Sequence, residues 1–97
     1  MSSDESKWTF FSNHGHVYFL IAKTEGITVR EISQKVGITE RSIQGIINDL
    51  DSANYIKREK VGRANVYKIV PKTTLRHNLE KDVLLSDLTK LILNPKK

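Results

Sequence analysis

The chain contains no cysteine, which excludes disulfides and thiolate metal sites and fits a reducing compartment such as the cytoplasm. Its longest apolar run, Val17 to Ala22, falls far short of the roughly 20 residues needed to span a bilayer, and residues 1–7 are polar rather than a signal sequence, so no membrane partner is expected. There is no glycine-rich loop of the kind that cradles phosphates and no nucleophile with a base at a recognisable spacing. Asp49 and Asp51 are two apart on a predicted helix and do not converge. His14 and His16 are likewise two apart, with no neighbouring acid to complete a metal site. The sequence therefore predicts no enzyme, no cofactor and no metal.

What the chain does have is positive charge. Its 97 residues carry 16 Lys and Arg against 11 Asp and Glu, a formal charge of +5, which favours a polyanionic partner if the charge is gathered in one place. A chain of this length makes one domain and buries only about 60 to 65% of its unfolded surface, so a second copy would help to cover it.

The organising stretch runs from Thr39 to Asn54. Ile43, Ile46, Ile47 and Leu50 recur at the spacing of one helical face, while Arg41, Ser42, Gln44, Gly45 and Asn48 lie elsewhere and are polar or small. Thr39 can cap the helix start and Asn54 can close its end in a left-handed conformation. Upstream, Thr28-Val29-Arg30-Glu31 is a capping box opening a short helix with Val29, Ile32 and Val36 inward, and Gly37 supplies the positive φ of a sharp turn before Ile38 and Thr39. A short helix, a tight glycine turn and a second helix read as a helix-turn-helix, with an ordinary helical hairpin as the plainer alternative.

The flanks complete the unit. Ser12 or Asn13 can start a first helix reaching about Thr24, with Val17, Leu20, Ile21 and Phe19 on its buried side. Tyr55 to Val61 and Val66 to Val70 are β-branched and aromatic runs joined by Gly62-Arg63-Ala64-Asn65, the makeup of a hairpin, and Pro71 stops the second strand. Lys57, Arg58, Lys60, Arg63 and Lys68 stand in this hairpin against the single acid Glu59, so the positive charge does gather beside the organising helix. After a connector, Leu79, Val83, Leu84, Leu88, Leu91 and Ile92 form a helical stripe over 79–93, before the basic tail Asn94-Pro95-Lys96-Lys97. Trp8, Phe10 and Phe11 place three aromatics next to the polar N-terminal tail. They pack either in the domain's own core or, with the last helix, across a dimer.

The expected fold is α+β and mainly α. It comprises a tail (1–7), a winged helix-turn-helix with three helices and a two-stranded wing (8–71), and a connector with a C-terminal packing or dimerisation helix (72–97). Over Trp8 to Leu93 the chain resembles winged helix-turn-helix regulators of the MarR and ArsR kind. More closely, it resembles a group of small prokaryotic MarR-like regulators built around segments like Trp8-Thr9-Phe10, Ser12-Asn13-His14, Val36-Gly37-Ile38-Thr39-Glu40-Arg41, Leu50-Asp51 through Tyr55, Gly62-Arg63-Ala64-Asn65 and Leu75-Arg76-His77 through Leu79-Glu80. That resemblance implies sequence-specific duplex binding, as a dimer, and control of transcription. Two departures stand out: Gly45 replaces a larger, often basic residue, and Asn78 replaces a common proline.

In this reading Arg41, Ser42, Gln44 and Asn48 approach bases or phosphates in the major groove. Arg58, Lys60, Arg63 and Asn65 track the backbone or minor groove, and Thr28 and Thr39 anchor phosphates at two helix starts. Trp8, Phe10, Leu79, Val83, Leu84, Leu88, Leu91 and Ile92 form the dimer interface, and a dimeric repressor would read a near-palindromic operator. The rival readings are a winged-helix module that binds protein and one that binds RNA. No effector-specific residue stands out.

Overall fold

The computed structural model describes residues 9–70 and 72–94. The expectations placed on the tail at 1–7, on Trp8, on Pro71 and on residues 95–97 lie outside the described residues.

Local signals set the element boundaries. Helix α1 spans Asn13–Lys23, α2 Val29–Val36 and α3 Glu40–Ser52, followed by strands β1 Ile56–Val61 and β2 Ala64–Ile69 and by α4 Leu85–Leu93. At the start of α2 the Thr28 hydroxyl accepts from the Glu31 N–H at 3.1 Å, while the Glu31 carboxylate accepts from the Thr28 N–H at 2.9 Å. Gly37, at φ +87°, ends α2 in the left-handed region where a Cβ is strained. The turn is pinned by the Ser33 hydroxyl, which donates to the Ile38 carbonyl at 2.6 Å. Thr39 caps α3 by accepting from the Ser42 N–H at 3.1 Å. At the far end Asn54 has φ 65°, with its N–H on the Asp51 carbonyl and the Tyr55 N–H on that of Leu50. This is the Schellman pattern, which satisfies the last carbonyls and sends the chain off the helix axis.

The core lies where α1, α2 and α3 meet the base of the wing. Ile43, Ile46, Ile47 and Leu50 of α3 are buried against Val17, Tyr18 and Ile21 of α1, Ile32 of α2, and Ile27, Ile56 and Tyr67. The two strands pair antiparallel from Ile56↔Ile69 to Val61↔Ala64. Helix α4 packs on α1 and adds Leu85 to the core. Its buried Thr89 gives its hydroxyl to the Leu85 carbonyl at 2.7 Å. Burial pushes the Tyr18 phenol up, against a smaller opposing pull from the Thr89 hydroxyl, so it stays neutral at ordinary pH. The architecture is the expected α+β winged helix-turn-helix with an added C-terminal helix.

Three details depart from the sequence expectation. On α1, Tyr18 is fully buried while Leu20 and Phe19 are half-buried, because the core wraps towards the side of the helix that faces the wing and α4. The hairpin turn is two residues, Gly62-Arg63, and Ala64 and Asn65 belong to β2, opposite Val61 and Lys60. Only Gly62 of the pair has positive φ, the pattern of a type II′ turn, which suits the strand twist. The last helix begins at Leu85, not 79. Backbone bonds from Leu75 N–H to the Val83 carbonyl and from Leu85 N–H to the Thr73 carbonyl hold residues 83–85 against the connector, leaving Leu79, Val83 and Leu84 outside the helix. Of the two places open to Phe10, the chain's own core is not the one it takes: it is 88% exposed, touching Phe11 edge-on.

Thr28→Ala is expected to cost about 1 kcal/mol of unfolding free energy, the usual loss on removing a helix cap, measured in a urea titration. The box also responds to pH. The Thr28 backbone N–H and then its hydroxyl hold the Glu31 carboxyl below the ordinary carboxylate range. A carboxyl lowered in the folded state contributes stability above its unfolded pKa and loses it as the pH falls through the folded value, so the contribution is present at neutral pH and fades in acid.

Candidate nucleic-acid interface

With Ile43, Ile46, Ile47 and Leu50 turned inward, the opposite face of α3 carries Arg41, Gln44, Gly45, Asn48 and Ser52, all exposed. The sequence expectation for this helix thus lands on one stripe, with Ser42 on its shoulder. There the Ser42 hydroxyl accepts from the Thr39 hydroxyl at 3.0 Å, so the Thr39 O–H is spent on the cap while the Ser42 O–H is left as a donor beside the helix start. Arg41, Gln44 and Asn48 hold the stripe's long polar side chains.

Pairing in the wing sorts its residues into two faces, because opposed residues share a side and neighbours along a strand alternate. Ile56, Arg58 and Lys60 with Ile69, Tyr67 and Asn65 make one face, which begins in the core at Ile56 and Tyr67. Lys57 opposite Lys68, and Glu59 opposite Val66, make the other, where Glu59 bridges to Lys68 at 3.4 Å. Arg58, Lys60 and Asn65 therefore lie together on the core-ward face, with Arg63 at the tip. The link to α3 is direct: Arg58 Nη2 donates to Asn48 Oδ1 at 3.2 Å. The helix stripe and the wing face are thus one continuous surface, polar and predominantly cationic.

Thr28, expected to anchor a phosphate at the start of α2, turns its own donors inward. Both its N–H and its hydroxyl are given to the Glu31 carboxylate, which leaves no donor free and places a negative charge at the start of α2. A contact absent from the sequence reading lies at the stripe's edge, where His14 Nε2 meets Asp49 Oδ2 at 2.8 Å and ties α1 to α3. The two residues are far apart in sequence, and no local pattern marks the pair.

The residues expected at a dimer interface differ in exposure. Phe10, Leu79 (85% exposed) and Leu91 (68% exposed) stand out in solvent, with Val83, Leu84 and Ile92 partly so, while Leu88 is packed against the core. Trp8 lies outside the described residues. Among the described residues no helix is long and apolar enough to cross a membrane.

Comparison with known proteins matches the span from Phe10 to Thr73, through all three core helices and the whole wing, to the family model described as the sugar-specific transcriptional regulator TrmB. The chain belongs to the TrmB family. The match covers the unit that carries the stripe and the wing face and ends before α4. No curated protein and no solved structure gives a significant match to the chain. Membership identifies a DNA-binding transcriptional regulator with a winged helix, and its family description names a regulator rather than a catalyst. The family found is TrmB, and the MarR and ArsR likeness remains a resemblance in the shared winged helix.

Within this TrmB-family domain Gly45 is informative. A Cβ built there meets nothing within 4 Å, and its φ is not positive, so neither space nor backbone conformation requires glycine. Gly in a helix interior costs about 1 kcal/mol relative to Ala. Gly45→Ala is accordingly expected to raise stability by about 1 kcal/mol; were Gly45 there to let the backbone of α3 approach DNA closely, the added methyl would also weaken DNA binding. Thermal melts and a binding titration on one preparation check both halves, and an alanine variant that is stabilised and binds as well as the parent would remove the close-approach explanation.

Proposed function

We propose that the chain reads double-stranded DNA in a sequence-dependent way, as a dimer, with α3 in the major groove and the core-ward face of the wing on the adjoining backbone or minor groove. The observation that carries this reading is the continuity of the two surfaces through the Asn48–Arg58 hydrogen bond, which presents Arg41, Gln44, Asn48, Arg58, Lys60, Arg63 and Asn65 to a single ligand. Arg and Gln carry paired hydrogen-bonding atoms that match guanine and adenine edges, whereas Lys60 and Arg63 serve phosphates. Support for a second copy comes from Phe10, Leu79, Leu91 and Ile92, apolar area that a lone domain leaves in water. Two half-sites about 34 Å apart, and hence a near-palindromic operator, follow from that symmetry. Occlusion of polymerase, and so repression, is the simplest outcome in the cytoplasm of a prokaryotic cell.

The sugar named in the family description is not carried over to this chain. A cleft of about 650 Å³ is bordered mainly by apolar and aromatic side chains, with Ser12, His14, Tyr55 and Glu80 among its polar groups, a lining that does not by itself specify a sugar.

The test is selection of random duplex DNA by the purified protein at two salt concentrations with an RNA competitor, with the mass measured in the same buffer. An enriched palindrome bound by a dimer supports the reading. Gln44→Ala should then lose about 1 to 3 kcal/mol mainly at one base position. A second reading, a protein-binding winged helix, rests on the exposure of Phe10 and Leu79. Weak, unselective DNA binding that is indifferent to Arg41 and Gln44 would favour it.

A further inference from the structure

Arg58 is held by the protein before any ligand arrives. It stands opposite Tyr67 in the wing, its guanidinium carbon is 5.9 Å from the centre of that ring, and Tyr67 is itself buried. A cation over an aromatic face is attracted by the ring, so the place of Arg58 is set from beneath. From there it donates to Asn48 at 3.2 Å. A guanidinium has donors only, so the Asn48 atom that faces it must be the carbonyl oxygen Oδ1, and the amide nitrogen Nδ2 is the part left for another partner.

The consequence concerns which base Asn48 can read. An asparagine recognises adenine by using both ends of its amide, with the oxygen accepting from N6 and the nitrogen donating to N7. Here the oxygen is engaged by a cation. An adenine amino group reaching for its second lone pair would be crowded by the N–H groups of Arg58, with partial positive charges facing one another. Guanine presents acceptors only, N7 and O6, on the same groove edge. Resting on the duplex-reading function proposed above, we propose that Asn48 and Arg58 act as one hydrogen-bond-donor unit that selects guanine over adenine, with Arg58 setting the preference through Asn48.

The experiment repeats the duplex selection with the full chain and with Asn48→Ala, Arg58→Met and Arg58→Ala. Methionine keeps an unbranched stem against Tyr67 without the donors, and melting curves confirm that each variant folds. The base read by Asn48 is the one whose preference disappears in Asn48→Ala. The expected result is guanine favoured over adenine at that base by about tenfold in the parent chain, with parity or a reversal towards adenine in both Arg58 variants while other positions keep their preferences. Adenine at that position in the parent overturns the proposal. So does a guanine preference that survives in both Arg58 variants while affinity falls on all sequences, which would make Arg58 a phosphate contact only. An Asn48→Ala profile identical to the parent's overturns it as well. A parent chain that selects no sequence at all removes the duplex reading itself, a result distinct from the other three.

Discussion

Raising monovalent salt from about 50 to about 200 mM is expected to weaken duplex binding by about a hundredfold per protomer, taking about four neutralised phosphates at roughly 0.9 each in the slope of log K on log salt. Lys60 and Arg63 are placed for phosphates, and Arg41 and Arg58, although placed for bases, add their charges to the same exposed surface of α3 and the wing. Arg63→Ala should reduce the slope by about 1 and weaken every duplex alike, because a side chain at the turn meets backbone rather than base edges. The two wing faces provide an internal control. Lys57 stands on the face opposite Arg58 and Lys60, so Lys57→Ala should leave the slope close to that of the parent. A flat salt profile, or equal slope changes for Arg63→Ala and Lys57→Ala, would contradict the placement of the wing.

Ile47→Ala should lower the unfolding free energy by about 3 kcal/mol, within the usual range for truncating a buried isoleucine. Ile47 is 0% exposed and belongs to the α3 side of the cluster that also contains Val17, Ile32, Ile43 and Ile56, so the cavity it leaves is walled by separate elements and closes poorly. Domains of this size hold about 0.05 to 0.15 kcal/mol per residue in all, and at about 4 to 8 °C per kcal/mol the melting temperature should drop by some 12 to 24 °C. The urea midpoint should fall with the slope unchanged. A loss under about 1 kcal/mol would mean that the α3 core is not packed as described.

Much of the fold was legible because its signals are local. Thr28 and Glu31, Gly37, Thr39 and Asn54 each mark a helix end through a short-range hydrogen bond or a positive φ. The isoleucines of α3 mark its inner face by period alone. The residues of the candidate interface were legible as types on that helix and hairpin, but not how they meet: Arg58 with Asn48, and His14 with Asp49, are brought together by tertiary packing that no spacing encodes. The connector misled for a different reason. Leu79, Val83 and Leu84 have helical spacing, yet their segment is held by turns, with the Leu79 N–H on His77 Nδ1 and the Glu80 N–H on the His77 carbonyl, and by the bridge between Thr74 and Leu84. Hydrophobic period reports which residues seek cover, and the backbone bonds decided the path. In the wing, Gly-Arg is a weaker turn signal than Asn-Gly, so the turn looked longer than it is.

The junction after α3 bears on how the domain would meet a duplex in the proposed pose. The Tyr55 N–H is bonded back to Leu50 in the helix, the Val70 N–H to the Tyr55 carbonyl, and Ile56 is locked in the core. Helix and wing base therefore leave the fold at a preset angle, and association need not wait for them to find it. Beyond Arg58 and Tyr67 the hairpin runs clear of that anchorage, through the Glu59↔Val66, Lys60↔Asn65 and Val61↔Ala64 pairs to its turn. Straight, bent or locally narrowed duplexes would thus be accommodated at the tip, with the helix keeping the same pose on each, so that differences in duplex shape register as differences in how far Arg63 can follow.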